Sequence, residues 1–195
     1  MISRKAFWSV TIAMVVLGVA SGALVGNNLF APATPAHAAW KDVFEAPSEL
    51  AQGVDAIVMA QAVGVEPGRV ARSANGEDVL PYQVYEFEVL RGAKGAFRGE
   101  RVFVERAGGL TSKGEAIVID VDGGDFELGK PYVLFLKQQE DGPYFYQVNH
   151  QGRYHVANGR LLSIAQDDAV ASFFDGRPVS EALGLAREYA SRPQM

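Results

Sequence analysis

The sequence predicts a mainly β (α+β) domain: a small antiparallel barrel or sandwich with one or two C-terminal helices, preceded by an N-terminal apolar export helix. Three observations carry this expectation. Short runs alternating between apolar and polar residues recur from residue 54 to residue 164, with Gly, Pro and Asn between them. From residue 167 the period changes to that of a helix. The first 38 residues carry only two charges, Arg4 and Lys5, followed by an apolar or small stretch over residues 6–25.

The N-terminal stretch is an export segment. Its charges are positive and precede the apolar run, so the rest of the chain is carried across the membrane. The run breaks at Gly26-Asn27-Asn28, and a Pro- and Ala-rich segment ends in Ala36-His37-Ala38-Ala39, the small-x-small pattern that a signal peptidase accepts. A secretory core runs about 7–15 residues and a spanning helix about 20. The length of this run therefore fits two readings: a signal peptide cleaved after Ala38, or a retained single-span anchor. Both place the remainder outside the cytoplasm, secreted or held in the envelope. The expected organisation is export segment 1–38, lead-in linker 39–49, β-barrel domain 50–165 and helical segment 166–195. Trp40, Val43 and Phe44 are placed to dock on the domain.

Within the domain, residues 54–63 put Ile57, Met59 and Val63 on one strand face and the small residues Ala56, Val58, Ala60 and Ala62 on the other. Pro67-Gly68 and Asn75-Gly76 mark a polar loop. Residues 82–90 alternate Tyr85, Phe87 and Val89 against Glu86 and Glu88, as in a half-buried strand. A turn at 92–95 precedes strands at 101–106 and 116–121. The unbroken apolar run 132–136 reads as a central strand, with Pro131 tolerated only at its start. Asp141-Gly142-Pro143 turns the chain into residues 144–148. Asn158-Gly159 between alternating runs is a two-residue hairpin signature, because both central residues of that turn need positive φ. Helices are expected over 167–174 and 181–191, the latter capped by Ser180 and somewhat weakened by Gly184.

Composition narrows the function. The formal charge is −5; without the +2 of Arg4 and Lys5 the exported part stands near −7. An acidic domain with no basic stripe is a poor partner for nucleic acid, so membrane contact is expected only through the N-terminal segment. With no cysteine, the fold has no disulfide, thiol nucleophile or Cys-based metal site. About 157 residues suffice for one hydrophobic core.

The order Val54-Asp-Ala-Ile-Val58, Tyr85-Glu-Phe-Glu-Val-Leu-Arg-Gly92, Phe126-Glu-Leu-Gly-Lys-Pro-Tyr-Val-Leu-Phe-Leu136 and Gly152-Arg-Tyr-His-Val156 resembles a group of uncharacterised exported bacterial β-barrel proteins. These are similar in outline to the OB-type barrel of the tissue-inhibitor-of-metalloproteinase and netrin-like modules. The resemblance covers residues 50–165 and implies an OB-like barrel. Those inhibitors use an N-terminal cysteine and bracing disulfides, both absent here, so the resemblance implies no protease inhibition.

No nucleophile elbow, zinc-protease helix, phosphate loop or dinucleotide fingerprint is present, and the domain is read as noncatalytic. Asp120, Asp122 and Asp125 flank Gly123-Gly124 and offer hard oxygen ligands for calcium, without the EF-hand spacing; a solvated acidic loop is the plainer account. Tyr132, Tyr144, Tyr146 and Tyr154, with His150 and His155, form a candidate ligand-binding face able to stack sugars or peptide side chains; core packing is its plainer account. The expected function is an exported noncatalytic binding module with a protein or glycan partner at the cell envelope. Two alternatives stand beside it: a small exported metal- or carboxylate-dependent hydrolase, and an accessory subunit of a membrane complex. The oligomeric state is open.

Overall fold

The computed structural model describes residues 34–35, 42–72, 79–111, 116–118, 124–140 and 142–193. The elements below all lie in the compact unit Pro35–Met195. In chain order they are α1 (Pro47–Gly53), β1 (Ala56–Arg72), β2 (Val79–Lys94), β3 (Arg101–Ala107), β4 (Gly109–Leu110), β5 (Ala116–Val118), β6 (Pro131–Gln138), β7 (Phe145–Gln147), β8 (Arg153–Ala157), β9 (Arg160–Ser163), α2 (Ala169–Phe174) and α3 (Val179–Ser191). The fold is mainly β, as expected. The apolar run 6–25 and the Ala36–Ala38 motif lie outside the described residues. Among the described residues no helix is long and apolar enough to cross a membrane.

Seven strands form one sheet in the order β9-β8-β6-β1-β2-β3-β7, and β7 returns to pair with β6. That last pairing closes five strands, β6-β1-β2-β3-β7, into a barrel and removes the edges an open sheet would expose. One pairing departs from the antiparallel expectation: β7 runs parallel to β3 through Val104↔Phe145 and Glu105↔Tyr146. One edge of β6 pairs with β1, whereas the other is shared between β7 near its C-terminus and β8 near its N-terminus.

The parity of each strand sorts its residues into two cores. Ala56, Val58, Ala60 and Ala62 line the barrel interior with Tyr85, Phe87, Val104, Phe126, Tyr132 and Leu134. Small alanines on β1 make room for the aromatic cluster opposite, in which Phe126 packs edge-on to Tyr85 and Phe87 with ring centroids 5.0 Å apart in both pairs. The alternate residues Ile57, Val133 and Phe135 face outward under the helices and pack with Leu50, Phe174, Val179 and Leu183. Strand β6 is apolar from Tyr132 to Leu136 because these five residues are buried on both faces. Among the described residues both clusters are built from residue 44 onward, within the compact unit Pro35–Met195, so the chain from Ala39 carries these described cores.

Three local expectations are corrected. The lead-in does not extend to residue 49: it contains the start of α1, seven residues with Pro47 in the first turn and Leu50 fully buried. The Lys94 ammonium donates to the carbonyl oxygens of Ala51, Gln52 and Val54 and so caps the end of α1. Pro67-Gly68 is not a loop but part of β1, where a register shift between Pro67 and Val70 absorbs them; Asn75-Gly76 lies outside the described residues. The last helix begins at Val179 with Pro178 as its N-cap, so Ser180 is inside its first turn. The Asn158-Gly159 hairpin forms as expected, with φ of 51° and 73° and Arg160 opposite Ala157.

Candidate functional site

The long hairpin β1–β2 stands beside the connection between β6 and β7, and the two enclose a cleft of about 260 Å³. Its floor is set by register. Glu66 pairs with Val84, Val84 with Glu105, and Glu105 with Tyr146, so these residues form one row on the outer face of the sheet. Gly68 lets the hairpin lie close: a Cβ there would stand 3.1 Å from both the Tyr82 carbonyl oxygen and the Val84 side chain. The shifted register delivers Arg69 over Glu105.

The Glu105 side chain is 1% exposed and that of Arg69 is 55% exposed. Arg69 Nε donates to both carboxylate oxygens of Glu105, at 3.0 and 2.9 Å, and Gln139 Nε2 donates to Oε2 at 2.6 Å. The guanidinium also lies 4.7 Å from the centroid of the Tyr82 ring. A buried carboxylate is costly unless paired, so Glu105 holds the arginine by its inner edge. The two Nη groups of Arg69 have no partner among the described residues, and this half-exposed side chain lines the cleft together with Tyr144. The result is a pre-oriented pair of donors beside an aromatic ring. Such a site can receive carbonyl or hydroxyl oxygens in a fixed direction.

The residues singled out from sequence do not form one face. Tyr132 pairs with His155, and Val133 with Tyr154, so Tyr132 and Tyr154 point to opposite sides of the sheet. Both are fully buried, Tyr132 in the barrel and Tyr154 under the helices. Burial pushes the Tyr154 phenol well above its ordinary pKa. His155 packs on the Tyr132 ring at 5.0 Å; burial, reinforced by the charge of Arg153, lowers its pKa. Tyr146 donates to Asp42 Oδ2 at 3.0 Å, and burial with that contact pushes its pKa up to about 12. Only Tyr144 reaches the cleft.

Asp125 accepts from Arg106 Nη1 at 2.5 Å; Asp120 and Asp122 lie outside the described residues. Among the described residues no three His, Asp or Glu side chains gather closely enough to hold a metal ion. Sequence reasoning missed Arg69, Tyr82, Glu105 and Gln139. The one available signal was Glu105 and Arg106 at the end of a strand whose other members alternate cleanly.

His150 lies elsewhere, 3.5 Å from Asp168 at the start of α2. Burial works to raise the pKa of Asp168, but hydrogen bonds from Ala171 N, Gln151, Val170 N and His150 together hold it below the ordinary carboxylate value. A depressed carboxyl contributes stability that is complete above its unfolded pKa and lost as pH falls through the folded one. Asp168→Ala is expected to cost about 1–2 kcal/mol at neutral pH. In thermal melts the gap from wild type should begin to narrow below about pH 4 and close only as pH falls through the depressed pKa of the folded carboxyl. A gap that persisted in acid would show that charge is not what Asp168 contributes.

No family model and no curated protein matches this chain.

Proposed function

We propose that this chain is an exported, noncatalytic binding module of OB type, whose ligand site is the cleft between the β1–β2 hairpin and the β6–β7 connection. The carrying observation is Arg69, pinned through Nε to the buried Glu105, backed by the Tyr82 ring and lining the cleft. The pairing order β6-β1-β2-β3-β7-β6, with its single parallel step, supports the OB reading. In barrels of that type the second and third strands and the two adjoining loops bind oligonucleotides and oligosaccharides. The acidic balance of the domain disfavours a polyanion. That leaves a neutral glycan or peptide of the cell envelope, hydrogen-bonded by Arg69 and stacked on Tyr144. The N-terminal basic pair, apolar run and small-residue motif support export.

The test is a binding titration of the chain starting at Ala39 with soluble fragments of cell-wall glycan and with their peptide portions. Arg69→Ala and Tyr144→Ala are each expected to weaken the interaction about tenfold or more. Equal binding by wild type and both variants would remove the cleft as the site. Arg69→Ala also leaves Glu105 with Gln139 as its remaining donor, so its melting temperature is measured alongside.

A further inference from the structure

The turn between β2 and β3 carries a second surface feature of different chemistry. Phe97 at this turn is 75% exposed. Arg91, Arg98 and Arg187 around it are exposed as well. Arg187 reaches the turn from α3 by donating to the Gly92 carbonyl oxygen at 2.9 Å. None of the three pairs with a carboxylate among the described residues.

The neighbouring charges are already engaged. Lys94 caps α1, Arg101 is held by Glu86 and Glu88, and Glu188 pairs with Arg192. Glu100 accepts from Phe97 N, and Asp55 accepts from Gln138 N. A single exposed phenylalanine is ordinary. A phenylalanine flanked by three arginines without carboxylate partners, in a chain of net charge −5, is a local reversal of the protein's electrostatics.

A line of contacts runs from this turn toward the lead-in. A Cβ on Gly95 would lie 2.1 Å from the Asp55 carbonyl oxygen, and the Asp55 carboxylate holds Gln138 N. The adjacent Lys137 reaches Asp42 Oδ1 at 3.2 Å. From there the lead-in is fastened along its backbone: Asn149 donates to the Asp42 carbonyl oxygen, and the Gln151 amide bonds both the N–H and the C=O of Phe44.

We infer that the Phe97 turn, with Arg91, Arg98 and Arg187, is a membrane-contact face that seats the barrel on an anionic lipid surface. Phe97 enters the headgroup region, and the arginines meet lipid phosphates. The inference goes beyond the cleft as a ligand site and rests on the export reading for which membrane it meets. A single aromatic among cations on a turn suits a lipid surface; a nucleic acid calls for a longer basic groove with several stacking rings.

The chain starting at Ala39 is sedimented with phosphatidylcholine vesicles with and without phosphatidylglycerol. Binding is expected only with phosphatidylglycerol, weakening with salt and by about fivefold for each of Arg91→Gln, Arg98→Gln and Arg187→Gln. Phe97→Trp, in a Trp40→Phe background, should shift its emission to the blue on those vesicles. Phe97 and the three arginines are exposed, and melting curves taken in parallel verify folding. No binding, equal binding by wild type and the triple arginine variant, or a short DNA duplex bound as tightly as the vesicles would overturn the inference. Glycan titrations of the same variants separate its failure from failure of the cleft.

Discussion

Arg153→Ala is expected to lower the stability of the domain by about 3–5 kcal/mol. Arg153 is fully buried. Its guanidinium lies 4.0 Å from the Phe126 ring centroid and 5.2 Å from that of Tyr132, and donates to the carbonyl oxygens of Gly124 and Asp125 at 2.7 and 3.0 Å. The arginine thus ties the segment preceding β6 to the barrel while its flat cation packs on two rings. Truncation leaves two carbonyl oxygens without these donors and a cavity where the side chain lay. For a domain of this size the loss corresponds to a fall in melting temperature of roughly 10–15 °C. Arg153→Lys keeps the charge but cannot span both carbonyls and stack at once, so it should recover only part of the loss. A melting temperature within a few degrees of wild type for Arg153→Ala would show that the barrel does not depend on this contact.

Gly95→Ala should cost a similar amount, about 3–5 kcal/mol, for a different reason. At φ 73° an L side chain is strained, and the added Cβ would sit 2.1 Å from the Asp55 carbonyl oxygen and 3.1 Å from Ala56 Cα. Both obstacles are backbone, at the start of a strand paired on both edges, so neither can give way cheaply. Gly99→Ala isolates the conformational part: its φ is 87°, but nothing lies within 4 Å of the new Cβ, and a loss of about 1–2 kcal/mol is expected. Gly184→Ala has the opposite sign. It lies inside α3 with open space around the added methyl, and should raise stability by about 0.5–1 kcal/mol. Chemical denaturation of the four proteins orders them, and Gly95→Ala no worse than Gly99→Ala would rule out the steric account.

Much of the fold was legible because its signals are local. The Asn158-Gly159 turn needs only its own two residues to adopt positive φ. The alternation of Tyr85, Phe87 and Val89 sorted that strand into an inner and an outer face, and β6 read as central because five successive apolar residues have no polar side to turn to water. Helix α1 escaped notice because seven residues span barely two turns, with no side-chain cap at Ala46. Its stability comes from burying Leu50 and Ala51 and from Lys94, about 40 positions away in the chain. The tyrosines were grouped by type, but pairing parity sends Tyr132 and Tyr154 to opposite sides of one sheet.

Readable from the chain alone were the β class, the division of β1 into two faces, the inward face of β2, the two-residue hairpin, the C-terminal helices and the acidic, cysteine-free character of the chain. Each follows from backbone preferences or apolar periodicity within a few residues. Only the tertiary structure decided barrel closure through the parallel β3–β7 step, the burial of Arg153 and Glu105, and the fastening of residues 42–44 by Asn149 and Gln151. Charged and amide side chains ordinarily stay in water, and nothing in their neighbourhood along the chain says otherwise. Their burial is compensated by partners as distant in sequence as Phe44 is from Gln151, 107 positions, and those partners meet only once the barrel has closed.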